Sequence, residues 1–143
     1  YKKYLQKITN EFKLNGFIEF LGPKKQNEIA DYYNLADVFV LPSVTSSIGT
    51  EAFGLVLIEA MACGTCVIGS SSGGIKEIIK NNVNGLIFQE KNPEELAVKI
   101  IKVLEDTKLR EKLSKNGLMY ARQNYNWNII SNKFLKLYDK LLK

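Results

Sequence analysis

Apolar residues recur along this chain with two different periods, and stretches of the two alternate. Residues 1–14 place Tyr1, Tyr4, Leu5, Ile8 and Phe12 at helical spacing, and Asn15-Gly16 supplies a stop signal. Phe17-Ile18-Glu19-Phe20-Leu21 reads as a strand ended by Gly22-Pro23. Helical spacing returns over 27–36 through Ile29, Tyr32, Tyr33 and Leu35. After Asp37 comes the unbroken apolar run Val38-Phe39-Val40-Leu41, which suits a strand covered on both faces. A Ser/Thr/Gly-rich loop fills 42–53, an apolar helix spans 54–63, and Gly64 caps it. Cys66-Val67-Ile68-Gly69 is another buried strand, followed by the small-residue loop 70–74 and one short helix over 75–80. Asn84-Gly85 precedes the strand Leu86-Ile87-Phe88. Asn92-Pro93 starts a helix with Pro at its first position and Glu94 and Glu95 in its first turn, where the helix dipole favours acids. Residues 107–122 and 127–142 read as two more helices.

Strands and helices thus alternate through residue 106 with no hairpin signal between strands. The pattern predicts an α/β fold: a Rossmann-like parallel sheet with helices on both faces and extra helices at the C-terminal end. In open sheets of this kind ligands sit outside the carboxyl ends of the strands, so the informative loops are 21–25, 42–53 and 70–74.

Composition narrows the function. At 143 residues the chain fits one domain, and 45% hydrophobic with 24% charged residues is ordinary for a folded globular protein. No apolar run approaches the ~20 residues of a spanning helix, and no signal peptide is visible. Tyr1 opens the chain inside a helical pattern, so a fragment of a longer protein, truncated at its N-terminal side, is expected. The net charge is +5, but 18 of the 20 basic residues are Lys and they are spread among acids. A nucleic-acid partner is therefore not expected, whereas a basic flank on anionic lipid is compatible. The chain has no His, which removes the commonest general base and metal ligand. Two Cys alone cannot close a structural zinc site. No metal centre is expected, and chemistry must rest on carboxylates, hydroxyls, amides, Lys or thiols.

The densest signal is Glu51-Ala52-Phe53-Gly54-Leu55-Val56-Leu57-Ile58-Glu59-Ala60-Met61-Ala62. Glu59 is the one polar side chain in a helix apolar all round, which predicts a buried helix and a carboxylate needing partners. A Lys or backbone amides from a neighbouring loop would satisfy it structurally. The functional reading uses the whole element. Gly54 would open the helix and let an anion approach its free amides. Glu59 follows about 7.5 Å further along the axis, and Glu51 precedes the helix in the loop. Amides for a diphosphate with a carboxylate at either end suit a nucleotide sugar, since a carboxylate accepts from vicinal hydroxyls as acids do from ribose in dinucleotide folds.

Together with Leu41-Pro42-Ser43, Gly64, Val67-Ile68, Gly73-Gly74-Ile75, Glu77 and Asn84-Gly85-Leu86, this segment resembles the C-terminal half of retaining GT-B glycosyltransferases. It is most similar to family four, which holds sucrose synthases, bacterial mannosyltransferases and capsule or lipopolysaccharide transferases. The resemblance runs from about Tyr4 to Trp127. It implies that Glu51 faces the donor sugar as the catalytic-site acid, that the Gly54, Leu55 and Val56 amides hold the diphosphate, that Phe53 belongs to the donor-binding set, and that Glu59 binds ribose. It also implies that Gly22, Pro23 and Lys24 lie near the nucleobase. The implied activity is transfer of a sugar from a nucleotide-diphosphate donor to a glycan or lipid-linked acceptor. The donor is a substrate, and no cofactor or divalent metal is needed. The N-terminal acceptor domain would be absent from this chain, which alone would fold without transferring sugar. A cytoplasmic site, peripheral on the inner face of the membrane, goes with that reading. The alternative is a stand-alone nucleotide-sugar-binding module. Cys66 stands where the family usually has Pro, and the 43–50 stretch is longer than in many members.

Three rival motifs have structural readings. Cys63-Gly64-Thr65-Cys66 has redox spacing, but helix precedes strand, the reverse of what stabilises a thiolate. Ser70-Ser71-Ser72-Gly73-Gly74 is either an anion nest or a plain strand-to-helix loop. Trp127, Ile130, Phe134, Tyr138 and Leu141 form a stripe expected to pack, though part of it would be exposed where a partner domain is missing.

Overall fold

The computed structural model describes residues 1–47 and 49–142. Its centre is a parallel sheet of β1 (Val38–Leu41), β2 (Cys66–Ser70) and β3 (Leu86–Phe88), in that spatial order. Val38 pairs with Cys66 and Ile68 with Leu86, and the register continues to the carboxyl ends. The helices are α1 (Lys2–Glu11), α2 (Gln26–Leu35), α3 (Leu55–Ala62), α4 (Ile75–Ile78), α5 (Pro93–Glu105), α6 (Thr107–Asn124) and α7 (Trp127–Leu141). The α/β class and the parallel order match the expectation.

Strand alternation divides the core between the two faces. Phe39, Leu41, Val67 and Ile87 point to the side carrying Tyr33 of α2, Leu57, Ile58, Ala60 and Met61 of α3, and Ile75 and Ile78 of α4. Val38, Val40, Cys66, Ile68, Leu86 and Phe88 point to the side of α5 and α6, against Leu96, Ile100, Val103, Leu109 and Leu113. Side chains cap several of the helix starts. Asn92 accepts from the Glu95 N–H at 2.9 Å to begin α5, and Asp106 from the Leu109 N–H at 2.9 Å to begin α6. Gly64, at φ +80°, closes α3, with the Thr65 N–H on the Ala60 carbonyl and the Gly64 N–H on Met61.

Four expectations change. Residues 17–21 are not a strand of the sheet. Phe17 is 86% exposed and Ile18 and Leu21 are exposed too; an apolar run forms a strand only where a neighbour takes its ladder bonds, and among the described residues this segment has none. The first helix stops at Glu11, not at Asn15-Gly16. Lys13 takes the left-handed turn at φ +56°, and the Lys13 and Leu14 N–H groups close back on Asn10 and Thr9. β1 is half-buried along its length, because it is an edge of this sheet, whereas β2 between two neighbours is buried throughout. Finally, the 127–142 stripe is mostly exposed. Trp127, Phe134, Tyr138 and Leu141 are exposed, as expected for part of the stripe, Ile130 near its start is half-buried, and no residue of α7 is fully buried.

These differences are measurable. Met61, fully buried, is expected to lose about 2–5 kcal/mol on Met61→Ala. Phe17→Ala is expected to stay within about 0.5 kcal/mol of the parent. Denaturant melts of the two variants check both values, and a core-sized loss at Phe17 would restore the strand.

Candidate functional site

The loops after β1, β2 and β3 meet at one end of the sheet and are stitched there by hydroxyls. Ser70 Oγ donates to the Ser43 carbonyl at 2.5 Å. Thr45, Thr50 and Ser72 share a triangle of hydroxyl contacts at 3.0–3.3 Å. The Glu90 carboxylate accepts from the Thr45 N–H at 2.7 Å, which holds its pKa below the usual carboxylate value, and the Glu90 N–H donates to Ser71 Oγ at 3.2 Å. All three hydroxyls of the Ser70–Ser72 run are thus engaged by the scaffold.

Two glycines let this loop lie directly on the segment before α3. A Cβ on Gly73 would overlap the Glu51 carbonyl oxygen, and one on Gly74 would come within 2.5 Å of the Ala52 carbonyl oxygen and 2.9 Å of Phe53 Cα. In that contact the Gly74 N–H donates to the Glu51 carbonyl at 3.0 Å. The Glu51 backbone is thereby fixed, and its side chain is fixed from the other direction: Ser43 Oγ donates to Glu51 Oε2 at 3.0 Å. Glu51 is half-buried and lines an open hollow of about 410 Å³ with Ser43, Val44, Ser46, Gly49 and Thr50. Ile48 of this loop lies outside the described residues.

Gly54 begins α3 in the left-handed conformation, φ +87°. The reason for glycine differs from the expected one. A Cβ there would point into the core, 3.3 Å from Leu57 Cδ1 and 3.5 Å from Leu41 Cδ2, and not toward an approaching anion. The first turn of α3 is open. Leu55 is 63% exposed and Val56 37%, so α3 is not buried all round: Leu57, Ile58, Ala60 and Met61 are its buried residues. The Leu57 N–H turns back to the Gly54 carbonyl at 2.9 Å. Those of Leu55 and Val56 have no acceptor one turn back and no side-chain cap at Gly54. Phe53 sets its ring edge against Tyr125, centroids 6.0 Å apart, and so ties this turn to the end of α6.

Glu59 is half-buried, and its partner is neither a Lys nor an amide. Tyr33 donates its hydroxyl to Glu59 Oε2 at 3.1 Å. Glu59, Tyr33, Gln26, Ile29, Ala30 and Cys63 line a hollow of about 230 Å³ between α2 and α3. Gly22, Pro23 and Lys24 are exposed in the segment leading into α2. Gly22 takes φ +70°, and Lys24 Nζ stands 5.1 Å from the Tyr32 ring centroid. They reach this hollow only through the helix they lead into, whose first residue, Gln26, lines it.

Pattern reading did not select Ser43 or Tyr33 as partners of the two acids. The sequence does carry a signal for Ser43, which follows the Leu41-Pro42 strand end. Tyr33 sits 26 residues from Glu59 and is marked only by helical spacing in its own segment. The thiols are free. Burial pushes Cys66 up to about 11, and burial with the nearby Glu59 charge pushes Cys63 up as well. Among the described residues, no group of three or more His, Cys, Asp or Glu is placed to hold a metal ion.

The family model described as glycosyl transferases group 1 matches residues 1–119, and the chain belongs to that family. Its structural neighbours are GT-B glycosyltransferases. Among its relatives is the N,N'-diacetylbacillosaminyl-diphospho-undecaprenol alpha-1,3-N-acetylgalactosaminyltransferase of Campylobacter jejuni. It is 39% identical over 133 residues, covering 93% of this chain and 33% of that protein. Sucrose-phosphate synthase of Thermosynechococcus elongatus superposes with a TM-score of 0.86 at 33% identity, over 98% of this chain and 34% of that one. HepE of Anabaena, solved in complex with UDP, gives a TM-score of 0.88 at 27% identity, over 98% of this chain and 37% of that one. The chain spans about a third of the length of the curated relatives it matches.

Raised thiol pKa values mean less thiolate at any given pH. Cys63, the more accessible thiol, is expected to react with a disulfide reagent more slowly than free cysteine at pH 7, and to accelerate as pH rises past 9. Stopped-flow rates across pH check this, and a thiol that titrates below about 7 would reinstate the redox reading.

Proposed function

We propose that the chain is the donor-binding domain of a retaining glycosyltransferase. In the full-length enzyme it would serve transfer of a sugar from a nucleotide-diphosphate donor to a glycan or lipid-linked acceptor. The observation that carries the reading is the open first turn of α3 with Glu51 before it and Glu59 within it. Each acid is engaged by one hydroxyl and each lines its own hollow. Diphosphate on the Leu55 and Val56 amides, ribose on Glu59 and sugar at Glu51 would use every part. The amides and the positive end of the helix would stabilise charge on the departing diphosphate, the task a metal performs elsewhere, so the reading needs no metal. The Glu51 carboxylate would stabilise the positive charge that develops on the sugar as its bond to the diphosphate breaks. Gly22, Pro23 and Lys24 are assigned to the nucleobase side and Phe53 to bracing the diphosphate turn.

Two relatives lend support. HepE has been solved with UDP-glucose as well as with UDP. The Campylobacter jejuni transferase is named for a diphospho-undecaprenol acceptor, which fits a lipid-linked substrate. A cytoplasmic enzyme resting on the inner face of a membrane completes the proposal. Its support is the basic α7, whose Lys133, Lys136 and Lys140 accompany exposed Trp127, Phe134 and Tyr138. Among the described residues no helix is long and apolar enough to cross a membrane.

Titration calorimetry with UDP, GDP and ADP and their glucose conjugates tests the assignment. Glu59→Gln is expected to weaken the preferred nucleoside diphosphate by roughly 1–3 kcal/mol. Glu51→Ala is expected to leave the bare nucleotide unchanged and to weaken only the sugar conjugate. Unchanged affinity in Glu59→Gln, or equal losses for both ligands in Glu51→Ala, would assign that acid to the scaffold.

A further inference from the structure

Tyr33 is fixed from three directions where α2, α3 and β1 meet. Its ring stands edge-on to Phe39, centroids 5.2 Å apart and planes at 85°. Its carbonyl accepts from Thr65 Oγ1 at 2.7 Å inside the core. Its hydroxyl donates to Glu59 Oε2 at 3.1 Å. The residue is 7% exposed. A tyrosine so clamped has only two side-chain torsions, both held by packing, whereas glutamate has three and would sample several rotamers at the wall of an open hollow. Burial and the Glu59 contact push the Tyr33 phenol up to about 12, so at neutral pH the hydroxyl keeps its proton and remains the donor. Among the described residues Glu59 Oε1 has no hydrogen-bond partner, and no Lys or Arg forms an ion pair with Glu59.

We propose that Tyr33 is a positioning residue for Glu59. It occupies one carboxylate oxygen, fixes the side chain at the wall of the α2–α3 hollow, and leaves the other oxygen to accept from the vicinal hydroxyls of a ribose. The proposal rests on the donor-binding reading above and adds what makes the site selective. A carboxylate held in one rotamer can require both hydroxyls of a diol. A mobile one meets each hydroxyl only part of the time. Tyr33 therefore sets the preference for ribose over 2′-deoxyribose and leaves base and phosphate contacts alone.

Calorimetry on the 143-residue chain, with UDP, GDP and ADP and the 2′-deoxy form of each, reads this preference directly. For the nucleotide bound best, the parent is expected to favour the ribo form by about tenfold or more, since a site built around a hydroxyl rejects the analogue lacking it. Tyr33→Phe keeps the ring and its Phe39 contact, and a melting curve confirms the fold. The preference is then expected to fall to about threefold or less, with 2′-deoxy affinity unchanged within about twofold. Once Glu59→Gln is present, adding Tyr33→Phe is expected to do nothing more, because the two act as one unit. An intact preference in Tyr33→Phe, equal losses of ribo and deoxy forms, or multiplying effects in the double variant would overturn the positioning role. The ribose role of Glu59 would survive those results if Glu59→Gln alone abolishes the preference. A parent that binds ribo and deoxy forms equally, or binds none of the six, would overturn the ribose reading and the positioning role together.

Discussion

The approach of Gly73 and Gly74 to the backbone of 50–53 is the contact on which the site depends. Neither glycine has room for a Cβ: one would overlap the Glu51 carbonyl and the other would press on Ala52 and Phe53. Only with hydrogen at both positions can the loop after β2 lie flat against the segment that leads into α3 and donate the Gly74 N–H to Glu51. That contact fixes three things together. It places the Glu51 backbone, it sets where α3 begins at Leu55, and it brings Ser72 within reach of Thr45 and Thr50. The loops after β1 and β2 therefore behave as one body, although 20 or more residues separate their bonded hydroxyls.

The same economy governs the two acids. Each is engaged by a single neutral hydroxyl, Ser43 for Glu51 and Tyr33 for Glu59. A hydroxyl fills one acceptor position of a carboxylate that offers about four, and it leaves the negative charge in place. An Arg fork would have taken both oxygens and offset the charge. Among the described residues the ion pairs lie elsewhere, at Lys7–Glu11, Lys99–Glu95 and Arg110–Asp37. Holding an acid this way stabilises less than a bidentate pair would, but the group stays able to accept from a ligand. Both acids are half-buried, which limits the cost of keeping them charged.

Much of this was legible beforehand. The parallel order of the sheet follows from three apolar runs separated by helices and no hairpin turn, and it survives in β1, β2 and β3. The acids, Gly54 and the open amides were selected from one segment of 12 residues because helix geometry is local. What failed was whatever depended on a partner distant in sequence. Phe17–Leu21 has the apolar content of a strand, but composition does not say whether a neighbour exists. The 127–142 stripe has the spacing of a packed face, yet from Phe134 onward it stays exposed among the described residues. Tyr33 reads as one apolar helix position among four, because its bond to Glu59 spans 26 residues. Gly54 opens the helix as expected, but its missing Cβ serves Leu57 and Leu41 in the core and not an approaching anion.

The Gly54 geometry also explains why α3 begins without a cap. Asn92, Asp106 and Asn126 cap α5, α6 and α7 with their own side chains. Such a cap is worth about 0.5–2 kcal/mol. At Gly54 the φ of +87° strains any residue with a Cβ, and the core contacts 3.3–3.6 Å away would crowd one. A side-chain cap is therefore disfavoured by the same packing that buries Leu57. The next two residues, Leu55 and Val56, carry no polar atom that could reach back. The amides of the first turn thus remain open in a helix whose remaining length is anchored in the core. An anion that occupies them completes the helix as a cap would, and it meets donors already oriented by the fold, with little further ordering of the backbone on binding.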